Sequence, residues 1–410
     1  MYDIAVIGLG PAGAFLVKHL DKKFKVIAID KKTPDGESGF HKPCGGLLAP
    51  DAQKSLSRFN MTLPKEIMVS PQIFSVRTID VKSGLTRHYQ RHYINIDRHK
   101  FDLWLIKMIP EHIELHQNAF CTSVEADGGG YLVTYTENQE SKTIWTKYLV
   151  GADGAASIVR HTLYKNFRVH MYLSIQQWFS DKHDTPFYSS IFDPDTTNSY
   201  AWGLTKDDHF IFGGAFTAKT GRQDFENLKK KLKPYGFRLD DPVKTEACIA
   251  LRPVGPGKYC HGKDGVFLIG EAAGFISSSS LEGISYAIDS GYLLSQCLNN
   301  NANNPNSEYR RETRKIRRRL LLKYLKRPFL FGPKIRKLIM KSGLSSITII
   351  GPSLTEDASD EILSDEKVSD EEQLDEKQVD EEQPDEELSD KELSDEVLLK
   401  DTLDEVPPIK

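Results

Sequence analysis

The stretch that decides the fold is Tyr2-Asp3-Ile4-Ala5-Val6-Ile7-Gly8-Leu9-Gly10-Pro11-Ala12-Gly13, followed by Ala14 to Leu20 and then Phe24 to Asp30. Ile4 to Ile7 is a short continuous apolar run, the pattern of a strand buried on both faces in a parallel sheet. The glycines then follow the spacing of a dinucleotide-binding turn. Gly8 permits the tight turn, Gly10 lets backbone approach a pyrophosphate, and Gly13 lets helix and strand pack closely. A helix to about Leu20 offers unpaired N–H groups and the positive end of its dipole to phosphate. A second strand, Phe24 to Ile29, ends at Asp30, where a carboxylate meets ribose hydroxyls. This turn alone does not separate FAD from NAD.

Outward from this unit, residues 72–95 alternate apolar and polar and read as antiparallel strands. A helix is predicted from Asp97 to Met108. Residues 112–150 read as strands turning at Asp127-Gly128-Gly129-Gly130. Residues 161–251 are rich in Tyr, Phe, Trp and Thr in short alternating runs, a mostly antiparallel sheet inserted into the first domain. Residues 265–298 return to strand, turn and long helix.

The net charge of −4 conceals two opposite parts. Residues 353–410 hold 24 acidic and 5 basic side chains, leaving residues 1–352 at a net +15. In the tail, Asp recurs every fifth residue from Asp360 to Asp395. At about 100° per residue that repeat builds no single helical face, and acid density with few large apolar groups predicts disorder. Residues 309–341 carry fourteen Lys/Arg against one acid, Glu312. Ile316, Leu320, Tyr324 and Leu325 fall near helical spacing there, Pro328 is expected to end the helix after Arg327, and Ile335, Leu338 and Ile339 follow Pro333. This is the composition of helices lying on an anionic membrane surface, or of a solvated basic helix packed on the first domain. A nucleic-acid role has no supporting motif.

Five widely spaced cysteines, with no CxxC, read as neither a disulfide framework nor a zinc site, and no metal site is expected. No basic-then-apolar leader and no run of about 18 apolar residues is present. The expected location is cytoplasmic, possible attachment being peripheral.

Later motifs carry a family resemblance. Tyr148-Leu149-Val150-Gly151-Ala152-Asp153-Gly154, continuing to Arg160, resembles the "GADG…S.VR" segment of the para-hydroxybenzoate-hydroxylase-type flavoproteins. Gly265 to Gly274 (GVFLIGEAAG) resembles their third motif, with Glu271 where Asp is usual, and Leu281-Glu282-Gly283-Ile284 resembles the start of the helix facing the flavin ring. Lys42-Pro43-Cys44-Gly45-Gly46 resembles the "KPCGG" of the geranylgeranyl-reductase family. Asp97-Arg98 with Phe101-Asp102 and Leu105 is similar to its "DR..FD..L" helix. Tyr200 to Lys206 (YAWGLTK) is similar to its "YxWxFPK" substrate-channel motif, with Leu-Thr in place of Phe-Pro. The stretches 39–53, 174–179 and 267–291 resemble most closely the bacterial CbrA family.

The resemblance implies an α/β fold. Its FAD-binding domain spans residues 1–75, 95–160 and 252–300, and an inserted, mostly antiparallel substrate domain spans 76–94 and 161–251. A basic helical segment at 301–352 and the acidic tail at 353–410 complete the chain. It implies FAD held by Gly8, Gly10, Pro11, Ala12, Gly13, Asp30, Lys31, Pro43, Cys44, Gly45, Gly46, Arg98, Asp153, Gly154, Gly270, Glu271, Gly274, Gly283 and Ile284. Asp153-Gly154 belongs near the pyrophosphate, Glu271 on the ribityl chain and Arg98 at the cofactor.

Three catalytic candidates follow. Cys44 reads as a thiol beside the flavin or as a small apolar loop residue; His41, three residues upstream, reads as a partner for it or as a surface histidine. Tyr200 and Trp202 share one face of a strand, either a tunnel wall or ordinary core, with Gln176, Gln177 and Trp178 on a neighbouring strand. The implied activity is reduction of C=C bonds in an isoprenoid lipid, with NAD(P)H or a protein carrier as outside donor. A flavin monooxygenase shares the same motifs, and a non-catalytic flavin-loaded membrane protein is the third reading.

Overall fold

The opening apolar run becomes the strand Tyr2–Ile7, in the middle of a seven-stranded sheet. Val26–Ile29 lies on one side of it and Glu140–Gly151 on the other, both parallel to it. Parallel neighbours need a crossover, and the helix Pro11–Lys18 provides it. Glu114–His116 extends the sheet beyond Val26–Ile29. Glu140–Gly151 serves two neighbours along its other edge. Its C-terminal end pairs parallel with Val266–Leu268, and its N-terminal half pairs antiparallel with Gly130–Glu137, which in turn pairs with Ala119–Asp127. The hairpin turns fall at Gly128-Gly129 and Asn138-Gln139, all four at positive φ, as two-residue turns matching the strand twist require.

This computed structural model describes residues 1–34, 40–180, 183, 186–253, 255, 257–300 and 303–350. The acidic tail, read above as disordered, lies outside them.

A nine-stranded sheet forms the second layer of architecture. Its order is Lys244–Leu251, Met171–Phe179, His209–Phe216, Ala201–Lys206, Tyr188–Phe192, Ile73–Asp80, Leu85–Asn95 and Ser346–Ile347, with Leu47–Leu48 also paired to Leu85–Asn95. Every pairing is antiparallel except that of Tyr188–Phe192 with Ile73–Asp80. The strand holding Gln176 to Trp178 is not next to Ala201–Lys206, which holds Trp202 and which Tyr200 directly precedes; His209–Phe216 lies between them.

Three local features position the site. Leu47–Leu48 follows directly on Gly45-Gly46 and pairs with Ile94 and Asn95, so the glycine loop rests on the second sheet. Asp97 caps the helix Arg98–Lys107 by accepting from the N–H groups of His99 (2.9 Å) and Lys100 (3.0 Å), which fixes Arg98 in its first turn. The helix Ile284–Asn299 crosses Pro11–Lys18 so closely that a Cβ on Gly291 would stand 2.3 Å from the Ala12 carbonyl oxygen.

The basic segment is a series of helices, Pro305–Glu312, Arg314–Leu325, Arg327–Phe331 and Pro333–Ser342. Ile316 and Leu320 are buried in the core beside the first sheet. The main helix ends at Leu325 rather than after Arg327. Pro328 sits in the first turn of the next helix, where its missing N–H has no partner to lose. The chain then returns to the second sheet as Ser346–Ile347, so this segment is tied to the body at both ends.

Candidate flavin crevice and aromatic chamber

Where the first strand ends, backbone meets backbone. Gly8 has φ +96°, and a Cβ there would lie 2.7 Å from the Ala152 carbonyl oxygen; one on Gly13 would lie 1.9 Å from that of Gly8. Only glycine lets the GADG segment, the turn and the helix come together. Gly10, which caps the helix Pro11–Lys18, has nothing within 4 Å of the direction a side chain would take, and Gly154, at φ +78°, is equally open. Two glycines facing open space beside free first-turn N–H groups form a cradle for an anion. Asp153 adds a buried carboxylate oxygen, Oδ1, without a hydrogen-bond partner among the described residues, and burial raises the pKa of the group. An unpaired acceptor and an open cradle fit a dinucleotide with ribose or ribityl hydroxyls to donate.

The third motif closes the crevice. Gly270 has φ +57°, and a Cβ on it would meet that of Ala12 at 2.9 Å, which brings the motif against the first helix. Gly274, with φ +83°, lies against the Lys258 carbonyl. Gly283 caps the helix that begins at Ile284.

Several acids and bases of the expected cofactor set have partners within the protein. Asp30 accepts from the Leu9 N–H with one oxygen and from the Lys32 N–H (2.8 Å) with the other, and the Lys32 ammonium lies 3.3 Å from both. It therefore braces the glycine turn. Lys31 places its ammonium over the Phe40 ring, 3.4 Å from the centroid. Glu271 accepts from the Leu251 N–H (3.0 Å) and pairs with Lys42 (2.5 Å), tying three separate segments together. The longer side chain of Glu, where Asp is usual, spans that gap.

The KPCGG loop lies between the two sheets. Cys44 Sγ is 3.4 Å from the Gly46 N–H and 3.7 Å from Arg98 Nη1, while Arg98 Nε donates to Asp102 Oδ1 at 2.9 Å. His41 does not reach the thiol: its ring stacks on His99 at 3.7 Å. The group that addresses Cys44 is thus a guanidinium from another segment, oriented by a carboxylate one helical turn on. Gly46 has φ +62°, and a Cβ there would collide with the Ile96 carbonyl oxygen at 2.4 Å and the Lys206 ammonium at 2.7 Å. Lys206 is 6 % exposed and donates to Ile96 O (2.5 Å), Asn95 Oδ1 (2.7 Å) and Gly46 O (3.3 Å). Three carbonyl acceptors match its three N–H bonds, while burial lowers its pKa to about 8.

Tyr200 and Trp202 pack in one buried apolar cluster with Tyr172, Phe192, Leu204 and Ile211. Their rings stand 5.9 Å apart. Tyr200 Oη donates to Ser280 O at 2.6 Å and is hydrogen-bonded to Tyr188. Burial first, and the nearby Glu282 second, raise its pKa, so the phenol is neutral at physiological pH. Trp202 is 8 % exposed, packs beside Gly45, and its Nε1–H has no hydrogen-bond partner among the described residues. Lys42, Lys206 and Glu282 were not among the site residues expected from the sequence. Each stands in a quoted motif, so position was available as a signal; their partners, more than forty residues away in chain for Lys42 and Lys206, were not.

A glycine cradle, a partnerless carboxylate beside it and a thiol loop against an aromatic wall define an FAD-dependent flavoprotein oxidoreductase. The family model described as "FAD binding domain" matches residues 104–225. The CbrA protein of Escherichia coli (strain K12) is 49 % identical over 346 residues, 84 % of this chain and 98 % of that protein. The chain belongs to the CbrA family. Among solved structures, a geranylgeranyl bacteriochlorophyll reductase-like protein from Thermoplasma acidophilum is similar with a TM-score of 0.71 at 17 % identity, covering 86 % of this chain and 94 % of the other. PqsL, a probable FAD-dependent monooxygenase from Pseudomonas aeruginosa, is similar with a TM-score of 0.59 at 14 % identity, covering 83 % and 99 %. What these two share with the chain is the fold. The cofactor of the chain is FAD.

Proposed function

We propose that the chain reduces C=C bonds of an isoprenoid or polyprenyl lipid. The carrying observation is the apolar, aromatic wall around Tyr200 and Trp202 set against a loop whose thiol is backed by a guanidinium. FAD, when bound, supplies the hydride, replenished by NAD(P)H or a protein carrier from outside.

The chain's own residues do the rest. The aromatic and aliphatic wall binds a hydrocarbon chain and excludes water. Cys44 Sγ holds the proton that goes to the alkene carbon, and Arg98 Nη1, fixed by Asp102, stabilises the negative charge left on sulfur. Lys206 ties the Gly46 carbonyl to Asn95 Oδ1 and the Ile96 carbonyl and so sets the loop's position. The neutral Tyr200 phenol is kept in place by Ser280, and the Trp202 N–H is left for a polar atom of the ligand.

The test is spectroscopic. The FAD-loaded protein is reduced without oxygen, and a polyprenyl phosphate in detergent is added. The expected result is return of the oxidised flavin spectrum, much slowed in Cys44→Ala. A flavin that stays reduced until oxygen is admitted, and then yields a hydroxylated lipid, points instead to a monooxygenase. A flavin indifferent to lipid under both conditions leaves no role for the chamber in turnover.

A further inference from the structure

The helices after Asn304 carry two apolar faces, and only one of them is used. In Arg314–Leu325, Ile316 and Leu320 are buried, whereas Leu322, about 200° around the helix from Leu320, is 61 % exposed. Leu325, Phe329 and Leu338 continue this outer face across the next two helices at 55 %, 56 % and 70 % exposure. Large apolar side chains exposed together on consecutive helices mark a contact surface rather than ordinary solvated structure.

The cations sort the same way. Those turned inward are paired: Arg319 with Asp289 and Asp51, Lys323 with Asp51, Arg336 with Asp80. Lys315, Arg318, Lys326, Lys334 and Lys337 are exposed and, among the described residues, in no ion pair. The outer face therefore interleaves free positive charge with leucine and phenylalanine.

We propose that this face docks on an anionic lipid bilayer and that the helix Arg327–Phe331 is the cover through which lipid reaches the aromatic chamber, an inference that rests on the lipid reading of that chamber. A bilayer offers an anionic plane with an apolar interior directly beneath it, matching the interleaved pattern. A second copy of the chain would set like charges against each other across the contact. The inner side of the same helices leads to the chamber. Phe331 packs against the cluster containing Tyr200 and Trp202, its ring 5.8 Å from that of Phe192 and beneath the Arg252 guanidinium at 4.4 Å. One short helix thus has its outward side, at Phe329, on the proposed lipid surface and its inward side on the substrate wall.

The test is flotation of the full-length, FAD-loaded protein with vesicles of phosphatidylcholine alone or with roughly one-third phosphatidylglycerol. The protein is expected to float with the anionic vesicles at least about tenfold more than with the neutral ones, and to be released as salt rises. Leu322→Glu/Phe329→Glu/Leu338→Glu should abolish flotation while its flavin spectrum and melting temperature stay unchanged. Lys326→Glu/Lys334→Glu/Lys337→Glu, which leaves the apolar groups in place, should also lose it. No flotation with anionic vesicles, or equal flotation of wild type and the apolar triple variant, overturns the proposal. So does a wild-type dimer that this variant makes monomeric without any lipid binding. Flotation needs no turnover, so vesicle binding without lipid reduction would sink the reductase reading alone, and detergent turnover without flotation would sink the docking face alone.

Discussion

The glycine crevice and the aromatic cluster beside the Gly45 loop are built from different material. The crevice is made of backbone. Its defining positions are glycines whose added Cβ would strike a carbonyl, at 2.7 Å for Gly8 and 1.9 Å for Gly13, or glycines that leave open space, as at Gly10. The chamber and the thiol loop are made of side chains drawn from distant segments: Cys44 from the loop, Arg98 from a helix, and Trp202 and Lys206 from the second sheet. A backbone site is all-or-none, because one methyl group displaces the chain. A side-chain site is graded, because each member holds, orients or protonates separately.

That contrast orders what substitutions should do. Gly13→Val should have the largest effect. The protein should purify colourless, with FAD affinity reduced at least about 100-fold, roughly 2.7 kcal/mol; equilibrium titration of apoprotein with FAD measures it. A yellow Gly13→Val protein would mean that the crevice tolerates what the geometry forbids.

Lys206→Met should come next. It takes the ammonium donor from the buried Ile96 carbonyl and Asn95 Oδ1, while Gly46 O keeps the Ile96 N–H, and should cost about 2–4 kcal/mol of stability, read by denaturant unfolding. The pH dependence has a definite sign. The folded pKa is near 8, below the ordinary lysine value of 10.5, so between those values the unfolded chain binds more protons than the folded one. Lys206 therefore makes stability rise with pH across that window, its burial penalty being fully present below pH 8. Lys206→Met should remove that component of the rise.

Cys44→Ala should leave FAD binding intact and slow lipid-dependent flavin reoxidation by about 10²-fold, the lower end for loss of a proton donor. Arg98→Met should slow it comparably, because the sulfur has lost its cation. Equal rates for wild type and Cys44→Ala would return the thiol to a packing role. Trp202→Phe should have the smallest effect. It removes an N–H that has no partner among the described residues but leaves a small gap where the buried indole packed, so stability should fall by about 1–2 kcal/mol, while the KM for lipid rises and kcat stays unchanged.

Legibility in the sequence follows the same division. The glycine turn, the GADG segment and the GEAAG motif were readable because a backbone requirement is local and tied to one residue type. Side-chain partners were not readable in the same way. Asp30 was read from its place at the end of the second strand, but its bonds to Leu9 and Lys32 were not, since nothing in the sequence says that Lys32 folds back on it. Glu271 was placed by its motif, but its bond to Lys42 joins residues 229 apart. His41 lay nearer to Cys44 in sequence than Arg98 did, and the capped helix beginning at Arg98 decided otherwise. The basic helices gave their spacing and charge at once, whereas which of their two apolar faces the core would take required the packing of Ile316 and Leu320.

The central claim is that the chamber presents an isoprenoid double bond to the flavin and the Cys44 thiol. Its most direct test is the mass of the lipid recovered after anaerobic incubation of a polyprenyl phosphate with the reduced, FAD-loaded protein. A product heavier by two hydrogens for each reduced bond, formed without oxygen and greatly diminished in Cys44→Ala, is the predicted result. Unchanged lipid without oxygen, with an added oxygen atom once air is admitted, would contradict the account.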